Sequence, residues 1–158
     1  MDPVTAIFIL LLFFGLMRRR REKKTLVEQT IMPTGVFPYQ KRTTLLTANE
    51  YALYQLLRLV LGEKFQIQLK VAMAQVLMVN KNISASARPA YLKKINVKSA
   101  DFVLCDPADL RIVAVIVLAG QQTFVDDACK AAALPLFHLK PNYKYNHEEI
   151  RSILQPII

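Results

Sequence analysis

Glycine is scarce in this chain, with four in 158 residues, and the scarcity removes whole classes of chemistry. A Walker A loop or a dinucleotide-binding turn needs clustered glycines so that backbone N–H groups can reach a phosphate. No such cluster exists. The two cysteines, Cys105 and Cys129, stand outside any CxxC or Cys/His spacing and fall on apolar faces. They read as small reduced core residues. With His138 and His147 the only histidines, a zinc site has no ligand set to draw on. There is no G-x-S-x-G, and neither histidine forms a recognisable arrangement with Cys105 or Ser99. A serine or cysteine hydrolase is disfavoured accordingly.

Acid is also in short supply: 12 Asp and Glu face 21 Lys and Arg, a formal net charge of +9. Much of the excess is local, because residues 18–24, RRRREKK, hold six bases and one acid. Residues 25–158 hold 15 bases and 10 acids, so the remainder is only mildly basic. That balance is compatible with a nucleic-acid partner without demanding one.

The one long apolar run is residues 4–17, VTAIFILLLFFGLM, 14 residues without a charge. At ~1.5 Å per residue it reaches roughly 21 Å, short of a hydrocarbon core of about 30 Å. Snorkelling of Arg18 and Arg19 would extend it. A secretory signal places positive charge before its apolar run and a small-residue cleavage site after it. Here four arginines follow and no A-x-A stands at the end of the run. The order is that of a single-pass anchor at residues 1–17, its following chain on the cytoplasmic side. An interfacial or buried helix is the alternative. Arg18, Arg19, Arg20, Arg21, Lys23 and Lys24 then serve as a topology signal or a contact with anionic lipid head groups. Residues 18–43, with Pro33, Gly35 and Pro38, read as a polybasic juxtamembrane tether.

A single α/β domain is expected over residues 44–158. Thr47-Ala48-Asn49-Glu50 is a capping box opening a helix that runs to Leu61 and closes at Gly62. Its inner face is Tyr51, Leu53, Tyr54, Leu57, Val60 and Leu61. Residues 65–71, FQIQLKV, alternate as a half-buried strand, and a short apolar helix is expected over 72–79. Residues 80–98 carry Lys81, Arg88, Lys93, Lys94 and Lys98 around Tyr91, with no acid among them. The set suits a nucleic-acid backbone, or is simply a solvated surface. Residues 101–105 and 112–118 read as a hairpin, its second strand an unbroken aliphatic row buried on both faces. Asp106-Pro107-Ala108-Asp109 between them has the chemistry of a type I turn. A helix over 121–133, a strand over 134–139 and a final helix capped by Asn146 and Glu149 complete the reading.

The run DFVLCDPADL followed by VAVI resembles the bacterial family catalogued as domain of unknown function 2726, over roughly residues 44–155. The resemblance implies a restriction-endonuclease-like fold of the PD-(D/E)XK group, a three-layer core with a small mixed central sheet flanked by helices. It also implies vestigial site positions at Glu50, Asp101, Lys98 and Gln121, with Glu50 and Asp101 the candidate metal ligands. In that family the second hairpin strand continues as an acidic series of the type VIELDD. Here the same place reads Val115-Ile116-Val117-Leu118-Ala119-Gly120, so Val117, Ala119 and Gly120 carry no carboxylate.

Phosphodiester hydrolysis with Mg²⁺ usually needs two or more carboxylates converging on the ion. Asp106 is too distant to assist Asp101, since five strand residues at ~3.3 Å span roughly 16 Å. The expectation is a membrane-anchored, cytoplasm-facing, nuclease-like domain at the bacterial cytoplasmic membrane that binds rather than cuts. Its partner would be nucleic acid or a membrane-associated protein, and it would need no cofactor. Two alternatives stand: a Mg²⁺-dependent nuclease with a rearranged site, and a purely structural interaction protein.

Overall fold

A computed structural model describes residues 38–118, 120 and 123–158. The chain divides into two units, Met1–Thr43 and Thr44–Ile158. Of the first, residues 38–43 are exposed and form neither helix nor strand. The expected anchor, the basic run 18–24, most of the tether, Ala119 and Gln121 lie outside the described residues. Among the described residues no helix is long and apolar enough to cross a membrane.

The second unit is an α/β domain. Helix α1 spans Ala48–Leu61 and begins with the capping box the sequence announces. The Glu50 N–H donates to the Thr47 hydroxyl, and the Glu50 carboxylate takes up the Thr47 N–H at 2.7 Å. Gly62, at φ 58, ends the helix by donating its N–H to the Arg58 carbonyl, a conformation glycine adopts without a Cβ penalty. Leu53, Leu57 and Leu61 form the buried stripe. Tyr51, expected inside, is 53% exposed. It lines an open apolar hollow with Leu45, Leu46 and Tyr54 instead.

Strand β1 (Gln66–Ala72), the single-turn helix α2 (Met73–Val76) and α3 (Arg88–Asn96) follow. β2 (Ser99–Cys105) and β3 (Ile112–Val117) are the expected hairpin. The turn is wider than a four-residue type I turn. The Leu110 N–H donates to the Asp106 carbonyl at 2.9 Å, and Leu110 takes a left-handed φ of 59. The Asp106 carboxylate accepts from the Ala108 N–H and from Arg111, and both bonds hold it below the usual carboxylate range. Helix α4 (Thr123–Ala131), strand β4 (Leu136–His138), helix α5 (His147–Leu154) and a 3₁₀ turn at Gln155–Ile157 complete the chain. The second expected capping box is present, Asn146 with Glu149. The regular elements are shorter than the sequence suggests at 72–79, 121–133 and 134–139, where propensity runs past the last hydrogen-bonded turn.

The sheet has the order β1-β2-β3-β4, antiparallel through β3, with β4 parallel to β3. Two cores cover its faces. On one, α1 and α5 pack Leu53, Leu57, Leu61, Ile150 and Leu154 against Phe102, Leu104, Ala114 and Ile116. On the other, α2, α3 and α4 pack Met73, Ile95, Val125 and Cys129 against Val103, Cys105, Val115 and Val117. β3 is therefore buried on both faces from Ala114 to Val117, which accounts for its unbroken aliphatic row.

Candidate functional site

β1 and β2 both change face at one point. In a regular strand, residues two apart point the same way. Leu69 joins the core beneath α1, yet Val71 joins the core on the opposite face. Phe102 and Ala100, their partners in β2, divide identically. Between them Lys70 and Asp101 face each other without joining the ladder, and Lys70 sits at φ 52. A non-glycine residue at such a φ is uncommon, and irregularities of this kind re-aim side chains beside functional sites.

The side chain so aimed is an ammonium between two carboxylates. Lys70 Nζ donates to Glu50 Oε1 at 2.5 Å and to Asp101 Oδ1 at 2.7 Å. The other two oxygens are engaged as well. Glu50 Oε2 accepts from the Thr47 N–H and hydroxyl, and Asp101 Oδ2 accepts from the Leu118 N–H at 2.6 Å. Asp101 thereby holds the end of β3 just past the last ladder pair, Phe102 with Ile116. Glu50 serves as helix cap and as ion partner at once. The three side chains are 19% to 29% exposed, a setting in which charges are screened only partly.

The electrostatics follow from these contacts. The Lys70 hydrogen bond, then the Thr47 N–H, pull the Glu50 carboxyl below its ordinary value of 4.5. Burial pulls Lys70 down, but its bonds to Asp101 and Glu50 outweigh it and leave the ammonium above 10.5. Because the folded Glu50 value is depressed, its stabilisation is present above 4.5 and lost as pH falls through the folded value. The raised Lys70 works in the other direction: its contribution is complete below 10.5 and lost as pH rises past the folded value. Urea unfolding across pH should therefore show a plateau bounded on both sides. Glu50→Gln should flatten the acid limb, and an unchanged limb would remove Glu50 from the account.

Glu50 and Asp101 line a cleft of about 160 Å³ with Thr47, Asn49, Leu53, Leu118 and the loop Lys140, Pro141, Asn142 and Tyr143. The loop is fastened on both sides. Asn49 Nδ2 donates to Asn142 Oδ1 at 2.6 Å, and the Tyr143 hydroxyl donates to Glu149 at 2.9 Å.

Of the residues singled out from the sequence, Glu50 and Asp101 meet here. Lys98 does not line the cleft; it is exposed, and its carbonyl accepts from the Met73 N–H. Val117 is buried on the opposite face with Val125 and Cys129, and Gly120 is exposed. Lys81, Tyr91, Lys93 and Lys94 are exposed and Arg88 is half-buried. They lie around α3, in the layer opposite α1, so the basic segment does not border the cleft. Burial pushes both cysteine thiols up, Asp126 adding to the effect at Cys129. Both are therefore poor nucleophiles. Among the described residues no three of His, Cys, Asp and Glu come together as metal ligands. Sequence reading missed Lys70, because strict alternation groups it with Gln66 and Gln68 on a solvated face. No local signal marks the left-handed residue.

A four-stranded mixed α/β domain with a charged cleft between its first helix and the β2–β3 end is the class this geometry defines. A family model described as Protein of unknown function (DUF2726) matches residues 42–157, and the chain belongs to that family. No curated protein and no solved structure matches it.

Proposed function

We infer that the chain is a membrane-tethered, cytoplasm-facing binding domain on a restriction-endonuclease-like framework, and that it does not cut. The observation that carries this reading is the Lys70 ammonium bridging Glu50 and Asp101. A hydrolytic Mg²⁺ centre needs free carboxylate oxygens converging on the ion. Here each carboxylate oxygen already accepts a hydrogen bond, and the bridging position holds an internal cation. The residues present do not fit a resident divalent ion. The apolar run before Arg18 supports the tether. The partner is a nucleic acid or a membrane-associated protein met outside the cleft, and no cofactor is required.

The test is incubation of the full chain with DNA and RNA in Mg²⁺ or Mn²⁺, alongside thermal melts with and without the ion. No cleavage and no ion-dependent rise in Tm are expected. An ion at a hundred times its Kd would add about 2.7 kcal/mol, which a melt resolves easily. Metal-dependent cleavage that disappears in Asp101→Ala would restore the nuclease reading.

A further inference from the structure

From Lys64 to Ala100 the chain holds seven bases and no acid. Two of them are accounted for elsewhere: Lys70 between Glu50 and Asp101, and Lys64 at the C-terminal Ile158 carbonyl. The rest surround α3. Ile95 is the buried residue of that helix. Lys93 and Val97, one turn apart, share the side turned away from it. Val97 is 71% exposed, and Tyr91 and Leu92, on the Ile95 side of the helix, are 45% and 39% exposed. Met78, just past α2, is 95% exposed. It precedes Val79, whose carbonyl accepts from Arg88 at the start of α3. Lys81, Lys94 and Lys98 are exposed as well. The acids of this layer belong to α4, where Asp126 is engaged by His138 and Asp127 is exposed.

We propose that this surface seats the domain on an anionic phospholipid bilayer. One feature chooses lipid over a nucleic-acid backbone: the exposed apolar side chains among the lysines. A phosphodiester chain is matched by cations and by hydrogen-bond donors, which leaves exposed methionine, leucine and valine unexplained. A bilayer interface takes both at once: apolar side chains enter below the head groups while lysines stay at the phosphate level. The α3 surface is a patch of folded structure distinct from the arginine run at 18–24, and it needs no anchor to act. The inference therefore goes beyond the binding-domain reading and stands without the tether.

The experiment uses the unit Thr44–Ile158, which holds the complete sheet and both cores. It is floated with vesicles of phosphatidylcholine alone or mixed with phosphatidylglycerol. Binding to the mixed vesicles only, weakening with salt, is expected. Each lysine lost near such a surface should lower partitioning about five-fold. Lys93→Gln with Lys98→Gln should thus reduce it about 25-fold, and Val97→Asp should reduce it again. All three positions are exposed, and unchanged melts of the variants confirm that the fold survives. Failure to bind mixed vesicles at low salt overturns the proposal. So does vesicle binding indifferent to these substitutions. Tighter binding to duplex DNA or RNA than to the vesicles overturns it too, and would give the patch to nucleic acid.

Discussion

Replacing Lys70 with alanine is expected to destabilise the domain by about 2 kcal/mol, between a solvated ion pair and a buried one. The variant leaves Glu50 and Asp101, 19% and 20% exposed, facing each other with no cation between them. Like charges so placed raise the pKa of at least one carboxyl. Part of the lost stability should therefore return as pH is lowered toward 5 or below, opposite to the wild-type trend. Divalent cations give a second readout. Mg²⁺ or Ca²⁺ should raise the Tm of Lys70→Ala and leave the wild type unmoved, because only the variant presents an unoccupied carboxylate pair. Lys70→Gly separates backbone from charge. At φ 52 glycine avoids a cost of about 1 kcal/mol that alanine retains. The glycine variant should accordingly be the more stable of the two. Equal Tm values for wild type and Lys70→Ala, with no response to pH or cation, would refute the bridge.

Phe102→Ala should have the largest effect of any single change, about 3–5 kcal/mol, against a total of about 5–15 kcal/mol for a domain of ordinary stability. Phe102 is fully buried in β2, paired with Leu69 on one side and Ile116 on the other. Its ring fills the space beneath α1 and α5, and neither neighbouring strand can close over the void without breaking its own ladder. Urea unfolding should show a midpoint shifted strongly downward with an unchanged slope. Tyr51→Ala is the contrast. With Tyr51 53% exposed, the change should stay within about 0.5 kcal/mol. Similar losses for the two variants would mean that the core beneath α1 is wrongly placed.

That contrast shows how far sequence carries and where it stops. Local signals survived: Thr47 with Glu50, Asn146 with Glu149, and Gly62 all act within a few residues, so their patterns are self-contained. The buried row of β3 was legible because a strand covered on both faces leaves no polar position. Tyr51 was misplaced because helical periodicity gives a direction but not where the neighbouring layer ends. The two carboxylates of the cleft came from a family resemblance. The lysine between them came from neither resemblance nor pattern, since its aim depends on a backbone reversal shared by two strands 31 residues apart at Lys70 and Asp101.

The reversal at Lys70 also bears on solubility. Among the described residues β1 has a strand neighbour on one side only, and an unprotected sheet border invites another polypeptide to add itself in register. A visiting segment could follow Gln66 to Leu69, but at Lys70 the left-handed turn swings the peptide groups out of line. The kink that delivers an ammonium to Glu50 and Asp101 thus interrupts the border as well, which favours a monodisperse protein over one that polymerises through its sheets.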